Sequence, residues 1–308
     1  MKRFLILLLC LCNAACDSGP SAEQLAKEQL MKIQHHADIM EWRKDRVKKL
    51  TARDGWLTLV GMHWLPKSGT TRVGFGEANG TRIGVGPDKL GLITVNDDKT
   101  IHFQPEAGLH IFINGLPSSG KAKIQSDASG TPTVVGFGEG RGSFIVIERG
   151  GKLALRVRDS QSPTLIHFKG LDYFEIDKKF QIEATFIPHD AGKTLNVMNI
   201  IGMVEPMMNP GLLEFDFDGK KYSLEAFDEG DHRLFIVFAD QTSGHDSYPA
   251  GRFLYAEYPD KTGKTTIDFN KSYNPPCAFN DYSTCPMPPD NNRLDFAVQA
   301  GEKKPRKT

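Results

Sequence analysis

The chain has 308 residues and no run of about 20 apolar ones, so no helix in it is long and apolar enough to span a bilayer. It has no excess of charge of either sign. Lys and Arg number 38, as do Asp and Glu, which argues against the broad basic face that a nucleic-acid binder needs. The Gly-x-Ser-x-Gly elbow, the His-Glu-x-x-His pair and the Walker lysine loop are all missing, so the standard signatures of a hydrolase, a zinc peptidase or a phosphate cradle are absent. Aromatics, by contrast, are plentiful. Nineteen Phe, seven Tyr and three Trp within a 39% hydrophobic sequence supply a real core and exclude wholesale disorder.

The address is written in the first sixteen residues. Lys2 and Arg3 precede the short apolar stretch Phe4 to Leu11, and Asn13-Ala14-Ala15-Cys16 follows. A charged start, an apolar segment and small residues before a cut site describe an export signal over residues 1–15. Cysteine directly after Ala14-Ala15 resembles the lipobox of bacterial lipoproteins, which implies a diacylglycerol on Cys16 and a membrane anchor. Asn13 stands where that pattern usually has Leu, and cleavage near Ala15 to release a soluble periplasmic protein is the alternative. The expected location is the bacterial cell envelope, periplasm-facing and lipid-anchored. Asp17 resembles the inner-membrane retention signal of some Gram-negative bacteria.

Loss of residues 1–15 removes Lys2, Arg3 and no acid, leaving 36 basic against 38 acidic residues. Cys10 and Cys12 go as well. With Cys16 acylated, Cys277 and Cys285 are the remaining thiols, with seven residues between them. An oxidising compartment favours a disulfide between them. Two reduced core cysteines or half of a metal site are the alternatives, and no His or other Cys lies within ten residues to complete a metal site. No metal and no cofactor is expected.

Ser21 to about Thr51 reads as one helix, opened by a Ser21/Gln24 capping box. Ala26, Leu30, Ile33, Ala37, Met40, Val47 and Leu50 form its apolar stripe. The pair His35-His36 falls on the polar face and is assigned no role. From Gly55 the texture changes to short β-like runs between turn residues: 56–60, 71–75, 92–95, 101–103, 110–113, 144–148, 154–157, 180–187, 212–217, 221–227, 234–238, 253–258 and 265–269. Asp218-Gly219 between two of these runs is the strongest hairpin signal. The fold class is therefore mainly β, an antiparallel sandwich or partly closed barrel preceded by one long helix. Residues 16–54 form the anchor and helix, 55–302 a single β-rich domain, and 303–308 a solvated basic tail. The Gly-rich stretches after Val73 and Val135 open no helix and read as turns. Glu214, Asp216 and Asp218 share one strand face opposite Phe215 and Phe217, the pattern of a half-buried sheet and not of a calcium loop.

Polar residues gather at the strand ends of the final third. Asp240 and Thr242 close one apolar run, Tyr248 and Arg252 open the next, and Asp268 and Asn270 end a third. Tyr273 and Asn274 begin a Pro-stiffened loop that carries Cys277 and Cys285. Gly55-Trp56-Leu57, Val60-Gly61, Trp64-Leu65, Arg156-Val157-Arg158-Asp159, Gly251–Leu254, Asp268–Asn270, the YNPPCAF block at 273–279 and Ala300-Gly301-Glu302 together resemble the bacterial domain-of-unknown-function 1684 family over nearly the whole mature length. The resemblance implies membership and suspect positions, with no reaction attached.

Such residues at the mouth of a β-fold are placed to converge on a small polar ligand. The candidates are Arg156, Asp159, Asp240, Thr242, Tyr248, Arg252, Asp268, Asn270, Tyr273 and Asn274. An Arg would present its fork to a carboxylate or phosphate, an Asp would act as base or orient that Arg, and a Tyr would donate a hydrogen bond. Three functions fit: a pocket that binds a small ligand, a hydrolase built on Asp159, Asp240, Tyr248, Arg252 and Asp268, or a structural or partner-binding lipoprotein. In the last, the same groups tie loops to the sheet by satisfying buried backbone. His63 and His245 are the histidines best placed for chemistry.

Overall fold

A computed structural model describes residues 21–306. The export signal, Cys16 and Asp17 lie outside them. The long helix runs Ala22–Leu50 behind the expected capping box, in which Ser21 Oγ accepts from the Gln24 amide and Gln24 answers the Ser21 amide. Its packing face differs from the expected stripe. Leu30, Ile33 and Met40 are exposed, whereas His35, Ile39 and Leu50 are buried. These three, with Arg43 and Arg46 between them, recur every three or four residues, so the docked face is half polar. His35 is a correction: its Nε2 lies 2.8 Å from Asp268 Oδ2, and a buried imidazole with a carboxylate partner outcompetes an apolar contact at that position. Arg43 and Arg46 clasp the body too, through Phe174 O at 2.9 Å and Glu302 Oε1 at 2.8 Å.

Beyond the helix the chain is mainly β, with nineteen strands among the described residues. In the first half, Leu59–Trp64, Lys152–Asp159, Gly142–Arg149, Val135–Phe137, Ile111–Ile113 and Leu116–Ser118 form one sheet in that spatial order. A second sheet has the order Thr81–Arg82, Gly69–Gly74, Gly91–Val95, Ile101–Pro105, Ala122–Ile124. The two enclose a core of Val73, Ile93, Phe103, Phe137, Phe144, Leu155 and Val157. In the second half, Arg252–Glu257, Arg233–Phe238, Lys220–Asp228, Gly211–Phe217, Gln181–Pro188 and Lys264–Asp268 pair antiparallel in that order. The last strand returns beside the first, where Thr265 Oγ1 donates to Glu257 O at 2.7 Å, so the sheet nearly closes into a barrel. Phe180, Phe215, Leu224, Ile236, Phe238, Leu254 and Phe269 fill it.

Local chemistry explains most elements. Asp218 (φ 49°) and Gly219 (φ 77°) both take left-handed backbone at the expected hairpin, as a two-residue loop of that handedness requires. Glu214 and Asp216 face solvent while Phe215 is buried. Elsewhere the reading shifts. Trp56–Thr58 is a 3₁₀ turn and the strand begins at Leu59, because the Thr58 hydroxyl caps Gly55 O at 2.7 Å. Val135–Phe137 is a strand and not a turn, since its neighbours supply a ladder that its glycine did not advertise. The tail is partly held: the Lys303 and Lys304 amides donate to Asp172 O and Asp246 O, and Arg306 forks onto Asp172.

Candidate functional site

A hollow of about 490 Å³ opens where the first half, the barrel and a separate hairpin meet. That size suits a small ligand. The first half contributes Trp56, Arg149 and Arg156, the barrel Phe235, Phe253 and Tyr255, and the following loops Tyr273 and Thr284-Cys285. The hairpin Thr194–Met198/Val204–Met208 overhangs it with Asn199, Glu205 and Met207.

Strand parity places the central cation. Along Lys152–Asp159, Leu153, Leu155 and Val157 point into the first core, so Arg156 must point out of the opposite face, toward the barrel. It is 6% exposed. Its Cζ stands 5.2 Å from the Trp56 ring centroid. Its Nε is buried without a hydrogen-bond partner, and among the described residues no carboxylate lies within ion-pair distance. Burial lowers its pKa to about 10, and the nearby Arg149 adds repulsion; the group is still a cation at neutral pH. The other arginines of the hollow are spoken for. Arg149 pairs with Asp127 at 2.8 Å and donates to Thr284 Oγ1 at 3.1 Å. Arg46 is held by Glu302 and Asn274 O while lying 4.6 Å over the Tyr273 ring.

A second donor is idle on the hairpin side. Asn199 is buried, and its Oδ1 accepts from the Ile201 and Met203 amides to close the hairpin turn. Its Nδ2 has no partner. Two unpaired buried donors, Arg156 and Asn199, therefore border one hollow whose wall also carries Trp56, Phe235, Phe253, Tyr255 and Tyr273 and the carboxylates Glu205 and Glu229. Tyr255 donates to Glu229 at 2.6 Å. Burial raises the phenols of Tyr255 and Tyr273, which keeps both as neutral donors.

Cys277 and Cys285 correct the expected disulfide: both are free thiols. The 3₁₀ turn Pro276–Ala278 aims the Cys277 amide at Cys285 Sγ, 3.3 Å away, and Cys285 Sγ donates to Ser283 Oγ at 3.6 Å. The neighbouring Cys277, with Ser283 and Arg156, lowers the Cys285 pKa against the opposing effect of burial. The Cys277 thiol is raised by the neighbouring Cys285 and by burial.

The family described as a protein of unknown function, DUF1684, matches residues 166–303. An uncharacterised protein of Haloarcula marismortui, solved by solution NMR, is 36% identical over 44% of this chain and 77% of its own, with a TM-score of 0.38. The chain belongs to the DUF1684 family. Comparison with curated proteins gives no match. The DUF1684 match takes in the barrel, the hairpin and the cysteine loop, and is shorter than the near-complete span expected from the sequence. Trp56, Arg149 and Arg156 fall outside it.

Of the ten positions suspected from sequence, the structure brings Arg156 and Tyr273 to the hollow. The others make internal contacts. Asp159 receives the Arg141 fork at 3.0 and 2.9 Å and caps the Gln161 amide. Asp240 and Arg252 form a fully buried pair, 2.6 Å apart. Asp240 also caps the Thr242 amide, and Thr242 Oγ1 meets Ser247 Oγ at 2.8 Å. Tyr248 donates to Cys277 O at 2.9 Å. Asp268 holds His35 and the Asn270 amide, while Asn270 Nδ2 reaches Asp177 O. Asn274 ties Lys303 O through Nδ2 and Glu302 through its amide. His63 and His245 also lie away from the hollow. The sequence reading missed Arg149, Asn199, Glu229, Tyr255 and Cys285 as lining residues. The alternation Leu155-Arg156-Val157-Arg158 was the available signal, since an Arg between core-facing residues must leave the sheet on its other face.

Proposed function

We propose that this protein binds a small ligand carrying a carboxylate or phosphate, with its anionic end at Arg156 and Asn199 and its body against Trp56, Phe253 and Tyr255. One observation carries the reading. Arg156 is a buried cation with an unpartnered Nε and no carboxylate within ion-pair distance among the described residues, and an arrangement that costs stability is supported best as the half of a pair whose other half is a ligand. The remaining polar cluster supports a bracing role around the site, as the third function expected from the sequence has it. Export, with acylation at Cys16 and a periplasm-facing anchor, is proposed from the first sixteen residues alone; palmitate labelling should be lost in Cys16→Ser, and labelling that survives removes the anchor.

The binding test is thermal unfolding with phenyl phosphate, benzoate and the neutral control benzyl alcohol. A one-site ligand at a hundred times its Kd stabilises by about 2.7 kcal/mol, so either anion should raise the unfolding temperature while the alcohol does not. Arg156→Gln should abolish the shift. No shift with either anion, or an equal shift in the variant, overturns the proposal.

A further inference from the structure

The hollow holds a nucleophile as well as a cation. Cys285 lines the same cavity as Arg156 and is 5% exposed. The Cys277 N–H points at its Sγ from 3.3 Å, and the Ser283 hydroxyl lies 3.6 Å away. Cys277 is anchored from behind, because its carbonyl accepts from the Tyr248 phenol at 2.9 Å. A sulfur that receives a backbone amide and shares its cavity with an arginine is placed to react as its anion once deprotonated. A purely structural buried cysteine has apolar surroundings instead. We propose that Cys285 is a thiol-exchange site for small disulfides that carry carboxylates, with Arg156 and Asn199 seating the carboxylate and Cys277 donating to the attacking sulfur. This rests on the anion-binding reading of the hollow and adds the reacting atom to it.

The step balances without any group beyond the named disulfide. Cys285 Sγ, having given its proton to solvent, attacks one sulfur of RS–SR. The new Sγ–S bond forms as the old S–S bond breaks, and the second sulfur leaves as RS⁻ and takes up a proton. Cys285 is oxidised to the mixed disulfide, half of the small disulfide is reduced to RSH, and Cys277 stays a thiol. The seated carboxylate sets selectivity at Arg156, the arginine of the wall with no ion-pair partner among the described residues, while Arg46 and Arg149 are paired and Glu205 and Glu229 lie elsewhere on the same wall.

The test treats the full chain with dithiodiglycolate and, separately, with cystamine, and follows the adduct by intact mass and peptide mapping. Cys285 should be labelled about tenfold or more faster by dithiodiglycolate, the factor that about 1.4 kcal/mol of discrimination supplies. Arg156→Gln should erase the preference, and Cys285→Ala should remove the adduct. Phenyl phosphate should slow labelling of the unaltered chain, a readout that does not depend on any variant folding. Equal rates for the two probes, or an adduct confined to Cys277, overturns the proposal. A chain stabilised by phenyl phosphate but inert to dithiodiglycolate loses the exchange site alone and keeps the binding pocket.

Discussion

Asp240→Asn isolates the buried pair that the sequence offered as a site and the structure assigns to bracing. Both side chains are fully buried. Arg252 Nη2 donates to Asp240 Oδ2 at 2.6 Å and Val298 O at 2.9 Å, and Nη1 donates to Ala300 O at 2.5 Å. Asp240 Oδ1 accepts from the Thr242 amide at 2.6 Å. The pair thereby stitches the end of Arg233–Phe238 to the start of Arg252–Glu257 and to the closing segment 298–302. Substituting Asn retains the shape and the Thr242 acceptor but leaves a guanidinium without its counter-charge in the interior. Breaking a pair of this kind costs about 3–5 kcal/mol. With a urea slope of about 3 kcal/mol/M for a chain this size, the midpoint should fall by roughly 1–2 M. Replacing both partners, Asp240→Leu with Arg252→Met, should recover part of the loss, with a coupling of about 2–3 kcal/mol in the double-mutant cycle. Recovery stays incomplete because the Val298 and Ala300 carbonyls lose their donor. Equilibrium urea unfolding followed by tryptophan fluorescence measures all four chains, and phenyl phosphate binding to Asp240→Asn should be unchanged. A loss under about 1 kcal/mol, or impaired binding at full stability, refutes the assignment of this pair to structure.

Arg156 predicts the opposite sign. Arg156→Met removes an unpaired buried charge and should stabilise the ligand-free chain by about 1–3 kcal/mol in the same urea assay; destabilisation would mean that the cation has an internal partner. His35→Ala should cost about 1–3 kcal/mol, because it strips a buried partner from Asp268. Amide exchange in residues 34–50 should accelerate before exchange in the barrel does, and uniform acceleration would refute a local clasp. Burial would raise the Asp159 carboxyl, but the Arg141 fork and the Gln161 amide outweigh it and hold it below the usual range. A depressed carboxyl stabilises above its unfolded pKa of about 3.9 and loses that contribution as pH falls through the folded value. The gap between the unaltered chain and Asp159→Asn should therefore be flat above about pH 5 and close on acidification. Arg141 is half exposed, so the gap should be about 1 kcal/mol, and a gap that widens in acid would overturn the reasoning.

The helix cap, the Asp218-Gly219 hairpin and the all-β character were legible because each depends on neighbours within a few residues: a side chain reaching its own backbone, left-handed φ values, or period-two alternation. The site was legible only in part. Arg156 and Arg252 look alike in the sequence, each an arginine set among strand-forming apolar residues. Arg252 meets Asp240 twelve positions away, while Arg156 meets a hollow walled by residues up to 130 positions distant. His35 is similar, since a histidine on a polar helix face is solvated until Asp268, 233 residues on, is folded against it.

Composition and local pattern by themselves determined a β-rich chain led by a capped helix, because backbone geometry and short-range hydrogen bonds answer to adjacent residues. Which polar groups neutralise one another, which are left facing a cavity, and whether two cysteines meet as thiols were decided by tertiary packing alone. Charge, burial and reach are properties of pairs, and those pairs come into being only when distant strands are laid side by side.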